Sequence, residues 1–272
     1  MSEEIPINNV LVAIDPSEKE HNALNRALLM AKYREDDVVI HLVICMELEK
    51  LHQIHDATDY YRDTSWFEEL TKPLVERNIT YTSEVFWTEN WHLTMLDAAK
   101  RHNANFIILS DYARKKGLSG LTASKWSLFR DSQCPVLIVV PSTQDERKCI
   151  LAAVNMQTSN PRYADLNEKI LTISAQLADS YAAEKHIVNS YEGGETFPDR
   201  AMLIREGGIK NENIHVESGN TTDVIVKIAD KINADVVVIG TLARKGVMAA
   251  MKGNKSEDII QKLDRDVMIV NS

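Results

Sequence analysis

Apolar residues recur along this chain in two rhythms that alternate. Short runs such as VLVAI (Val10–Ile14), FIILS (Phe106–Ser110) and VVVIG (Val236–Gly240) are apolar throughout. Between them lie longer stretches whose apolar positions recur every three or four residues. The short runs predict strands buried on both faces, and the longer ones predict amphipathic helices. On this reading strands fall near 9–14, 37–44, 80–86, 105–110 and 136–140, with helices near 18–32, 65–77, 91–102 and 122–131. The same order returns later. Strands fall near 149–154, 184–190, 213–217, 235–240 and 266–270, with helices near 162–180, 198–207, 221–232 and 254–264. Thr222-Asp223 and Asn254, each before an apolar-periodic run, mark helix starts.

The repetition is visible in the letters themselves. NNVLVAIDPS in the first half answers to KCILAAVNMQ in the second, and ANFIILSDYARKKG answers to ADVVVIGTLARKG. Self-similarity over so long a period indicates a duplicated domain. The polar stretch PSTQDERK (Pro141–Lys148) separates the copies, which sets the expected domains at 1–143 and 144–272. Alternating strands and helices imply parallel sheets with right-handed crossovers. The expected fold class is therefore α/β, two tandem doubly wound five-stranded parallel-sheet domains related by a pseudo-twofold. The closing strands, Val136–Val140 and Asp266–Val270, are expected to approach each other within one chain as a pseudo-dimer, with a further homodimer left open.

Composition narrows the function. The chain has 272 residues, 44% hydrophobic and 26% charged, with a net charge of −9. This argues against nucleic-acid and anionic-membrane partners, which need a positive face. No apolar run reaches the roughly 20 residues of a membrane span. Cys45, Cys134 and Cys149 have no CxxC spacing and read as reduced thiols of a cytoplasmic protein. No Ser-His-Asp, HExxH, GxSxG or Walker A pattern is assembled, so catalytic residues are none and ATP hydrolysis is expected to be slow at most.

The candidate chemistry lies where the strand order reverses, at the carboxyl ends of the first and fourth strands of each half. In the second half, Gly240, Gly246 and Gly253 take three of only 10 glycines, and a helix follows. Glycine lets the backbone approach an anion, and a helix N-terminus favours negative charge. Lys245 and Lys255 add positive charge. Other motifs have plainer readings. His52 and His55 at i, i+3 are two metal ligands or a solvated face. Trp87 and Trp91 are a stacking platform or packing between strand three and its helix. Arg114–Gly117 is a basic phosphate contact or a solvated loop.

These residues resemble the universal stress protein family. The paired α/β halves, Asp15 or Asn155 ending strand one, and the small-residue loop after strand four carry the resemblance. It implies an adenine-nucleotide α-hydrolase-like fold and a stress-response role. ATP-binding members carry G-x2-G-x9-G-(S/T). Here Gly240, Ala243, Gly253 and Asn254 stand at those positions, against Ser110, Ala113, Ala123 and Ser124 in the first half. The resemblance implies ATP or ADP in the second half, with any Mg accompanying the nucleotide. Its binding residues would be Ala153, Asn155, Val188, Ile239, Gly240, Ala243, Gly253, Asn254, Lys255 and Ser256. The equivalent first-half residues are Ala13, Asp15 and Val43. Two rival readings stay open: an interaction or scaffold protein with vestigial pockets, and a carrier of another small or amphipathic ligand lined by 46–63 and 190–206.

Overall fold

A computed structural model describes residues 8–32, 38–47, 62–111, 121–141, 146–158, 160–194, 197–242 and 255–272. These form two compact units, one from Asn8 to Asp111 and Thr122 to Pro141, the other from Glu146 to Ser272. Among the described residues there are ten strands and eight helices, and each expected element is present.

The first unit contains β1 (Asn9–Ile14), α1 (Asn22–Lys32), β2 (Val39–Glu47), α2 (Thr64–Glu76), β3 (Thr80–Thr88), α3 (Trp91–Arg101), β4 (Phe106–Ser110), α4 (Ala123–Asp131) and β5 (Val136–Val139). Its strand order is β3-β2-β1-β4-β5, and every pairing is parallel. The second unit contains β6 (Cys149–Ala153), α5 (Pro161–Tyr181), β7 (Glu184–Tyr191), α6 (Arg200–Gly207), β8 (Ile214–Ser218), α7 (Thr221–Lys231), β9 (Val236–Thr241), α8 (Lys255–Lys262) and β10 (Asp266–Asn271). Its order, β8-β7-β6-β9-β10, is the same path. Both units are doubly wound.

Strand β4, between β1 and β5, is buried at every position, because helices cover both faces of the sheet. Leu74 of α2 and Leu128 of α4 are fully buried in the first unit, and Ile228 of α7 in the second. Each such side chain contributes about 1.5–3 kcal/mol of hydrophobic stabilisation.

Helix starts are capped locally. Asp63, Thr122, Asn160, Asp199 and Asn220 each accept a backbone N–H of the following first turn. The start expected at Thr222-Asp223 is therefore set by Asn220, with the helix running from Thr221. Helix α1 begins at Asn22, later than the expected residue 18, because a side-chain turn competes with it. Ser17 donates from both N and Oγ to Asp15 Oδ1, at 2.9 and 2.6 Å. Strands β2 and β3 extend beyond the expected ends at 44 and 86, pairing as far as Glu47 with Thr88.

The duplication is written into special positions. Asn103 and Asn233, which follow α3 and α7, both adopt left-handed backbone, with φ of 48° and 50°. Asn78 after α2 and Gly208 after α6 do the same, at 54° and 60°. At the amino end of each sheet one side chain ties strand four to strand one. Asn105 Oδ1 accepts from Asn8 N and Asn9 N at 3.1 and 3.0 Å. Asp235 Oδ2 accepts from Lys148 N and Cys149 N at 2.7 and 2.9 Å.

Candidate functional site

In the first unit, β4 ends at Ser110, whose Oγ accepts from Ala23 N at the start of α1, at 2.9 Å. The next residue, Asp111, is 3% exposed. Its Oδ1 accepts from Lys125 Nζ in the first turn of α4, at 2.8 Å. Thr122 Oγ1 caps that helix through Lys125 N. The amino end of α4 therefore already faces a carboxylate belonging to the chain, and the local cation is already paired. Asp15 is drawn into its own turn through Ser17. Arg62 donates to Pro16 O and lies over the Trp66 ring, and His21 meets that ring edge-on. Burial lowers the pKa of His21. This cluster was not legible in the sequence, because Arg62 and Trp66 are distant from Asp15 along the chain.

The second unit departs from this at the same places. Gly240 stands where the first unit has Ser110. A Cβ at Gly240 would lie 2.6 Å from Leu166 Cδ2 and 2.9 Å from Ile170 Cδ1 of α5. This glycine is thus required by the close packing of α5 on β9. Thr241 replaces Asp111 and is 4% exposed. Lys255 replaces Lys125 and opens α8 as an exposed residue with no ion pair among the described residues. Ser256 Oγ donates to Gly240 O at 3.0 Å, so its hydroxyl joins the start of α8 to the end of β9. Glu257 and Asp258 occupy the first turn of α8 and already balance part of its positive end.

The end of β6 lies beside that of β9, with pairing up to Ala152 opposite Val238. Ala153 is half-buried and pairs in register with Val188. Val188 and Ile239 are buried side chains of the sheet, 1% and 2% exposed. Asn155 is held by a reciprocal pair of bonds. Its N donates to Asn167 Oδ1 at 3.0 Å, and its O accepts from Asn167 Nδ2 at 2.8 Å. Its own Oδ1 is buried and has no hydrogen-bond partner. Asn189 braces the same turn: Oδ1 accepts from Met156 N at 2.9 Å, and Nδ2 donates to Gln157 Oε1 at 2.7 Å. Asn167 and Asn189 are residues that the pattern reading missed. A buried amide inside an apolar run was the available signal. Ala243, Lys245, Gly246, Gly253 and Asn254 lie outside the described residues, as do His52, His55 and Arg114–Gly117.

Burial drives the thiols of Cys45 and Cys149 up to about 12 and raises that of Cys134, which leaves all three poorly nucleophilic at neutral pH. Of the two readings for Trp87, its 46% exposure on the outer strand β3 argues against full packing between that strand and α3. Trp91 is half-buried, edge-on to His92. No helix among the described residues is long and apolar enough to cross a membrane.

The universal stress protein family model matches this chain twice, over residues 6–140 and 145–271. The chain belongs to the universal stress protein family. Curated relatives include universal stress protein E of Salmonella typhi, 25% identical over 295 residues, covering 96% of this chain and 93% of that protein. Universal stress protein E of Escherichia coli K12 is 24% identical over 294 residues, with 96% and 93% covered. A solved putative universal stress protein from Pseudomonas aeruginosa superposes with a TM-score of 0.79 at 26% identity, covering 98% of this chain and 94% of that one. The tandem arrangement of this stress-response family is thus present twice over, in sequence and in fold.

Proposed function

We propose that this universal stress protein binds one adenine nucleotide, ATP or ADP, in its second half and none at the equivalent place in its first. The observation that carries the reading is the exchange of the Asp111–Lys125 pair for Thr241 and Lys255. Where the first half supplies its own carboxylate, the second has a neutral residue and an exposed, unpaired lysine. Lys255 and the backbone of the loop through Ala243, Gly253 and Asn254 would hold the phosphates, with Mg accompanying them. The unsatisfied Oδ1 of Asn155 would accept from a ribose hydroxyl, and Ala153 and Val188 would border the base. Ile239, Gly240 and Ser256 would act by fixing the end of β9 against α8 and α5.

In this role the protein is a cytoplasmic binding module that reports nucleotide state during stress, and no residue is assigned to catalysis. Calorimetric titration of ATP into the wild-type chain and into Lys255→Ala tests the reading. One site per chain is expected, weakened about tenfold by Lys255→Ala, which corresponds to about 1.4 kcal/mol. Absence of binding at millimolar ATP would leave the scaffold reading with vestigial pockets in its place.

A further inference from the structure

Each half places a histidine at the same point of its second strand. His41 pairs in register with Leu11 of β1, and His186 pairs with Leu151 of β6. In the second half, His186 meets His215 of the outer strand β8, with His186 Nδ1 and His215 Nε2 at 3.1 Å. The ring centroids are 5.4 Å apart and the planes 17° from parallel. That separation matches the nitrogen–nitrogen distance plus the two ring radii. The rings therefore meet edge to edge along one N–H···N bond rather than stacking face to face. Such a bond needs one ring to donate and the other to accept, so at least one ring must be neutral.

We propose that the His186–His215 pair is an acid-sensitive latch, in which a shared hydrogen bond holds β8 to β7 and a second proton on the pair drives the outer strand off the sheet. With one charge on the pair, the shared bond is kept, since one ring still accepts. His186 Nε2 lies 3.5 Å from Glu184 Oε2, and its Nδ1 faces His215. With two charges, both nitrogens at the contact carry protons and the bond becomes a repulsion between like charges. The surroundings favour this outcome over tolerance of the second charge. Lys231 of α7 and Arg200 of α6 add positive charge around His215; Glu217 of β8 opposes them and is itself paired with Lys227 of α7. Lys210, before the short turn that leads into β8, adds positive charge near Glu184. Burial, then His186, lower the pKa of His215 to about 4. Strand β8 has five residues and is the outermost strand of its unit; its backbone ladder to β7 and the bond from Arg200 to Ile214 O are what the latch reinforces. Asn213, just before β8, adds two bonds, donating to Glu184 Oε1 at 2.9 Å and to Lys185 O at 3.2 Å.

The first half is built differently at the equivalent place and serves as an internal comparison. His41 Nδ1 lies 2.8 Å from Thr82 Oγ1, and its ring stacks on His102 at 4.1 Å. Glu84 takes His102 Nε2 at 3.2 Å and Arg101 in two further bonds. Strand β3, of nine residues, is longer than β8.

The test is hydrogen exchange of the wild-type chain at pH 7 and pH 4, corrected for intrinsic rates, alongside side-chain NMR titration of the histidines. The two rings are expected to titrate in separate steps, the second well below the ordinary histidine range. Protection of β8 amides relative to those of β6 is expected to fall by at least about tenfold as the second step is crossed, one pKa unit of coupling. In His215→Gln, whose amide can still donate to His186 Nδ1 but takes no proton, the fall is expected to disappear. Independent titration of the two histidines would overturn the proposal. So would β8 protection that is unchanged across the range, or that falls equally in His215→Gln.

Discussion

The two halves agree at the amino ends of their sheets and differ at the carboxyl ends. At the amino end, Asn105 and Asp235 play the same part, each accepting two backbone N–H groups from the start of the neighbouring strand. At the carboxyl end, the first half closes on itself. Ser110 caps α1, and Asp111 neutralises Lys125. The second half has a glycine under α5, a neutral Thr241 and an exposed Lys255. Duplication kept what builds the sheet and changed the residues at its carboxyl end. In a doubly wound sheet this is the end where binding residues gather.

Substitutions that exchange these features should have graded effects. The largest is expected from Asp111→Ala, which strands Lys125 with its side chain 14% exposed. Breaking a buried ion pair in this way costs about 3–5 kcal/mol. Replacing both partners, Asp111→Ala with Lys125→Met, should recover most of that loss in a urea titration. Next comes Gly240→Ala, whose added methyl group meets Leu166 and Ile170 and should cost about 1–3 kcal/mol by overpacking. The same methyl already exists at Ser110, so Ser110→Ala should cost only the bond to Ala23 N, about 1 kcal/mol. The smallest effect is expected at Lys255→Ala, within about 0.5 kcal/mol of the parent in stability, because the side chain is exposed. A large loss there would mean that Lys255 already has a structural partner and is not available to an anion.

The alternation of periods was enough to read all ten strands and eight helices, because fully apolar runs and helical stripes are signals of local sequence. The repeat gave the doubly wound path twice. The site was only partly legible. Gly240 stood out as a motif glycine, but its contact with Leu166 and Ile170, more than sixty residues earlier in the chain, leaves no local trace. Asp111 and Lys125 drew no reading, since an ion pair across a gap in sequence leaves no periodic trace. Asn167 and Asn189 were hidden in apolar stretches, where a single polar letter hardly changes the period. His186 and His215 likewise meet only through strand pairing. Trp87 kept two readings because burial of an outer strand depends on what covers it, which its own sequence does not state.

The central claim is that the second half is open to an anion because it lacks the carboxylate of the first. The direct measurement is calorimetric titration of ATP into the parent chain and into Thr241→Asp, with thermal melting to confirm that the variant folds. The account predicts one site per chain in the parent and at least about a tenfold loss of affinity in the variant, as the new carboxylate takes Lys255. Equal affinity in the two proteins, or binding of two nucleotides per chain in the parent, would contradict it.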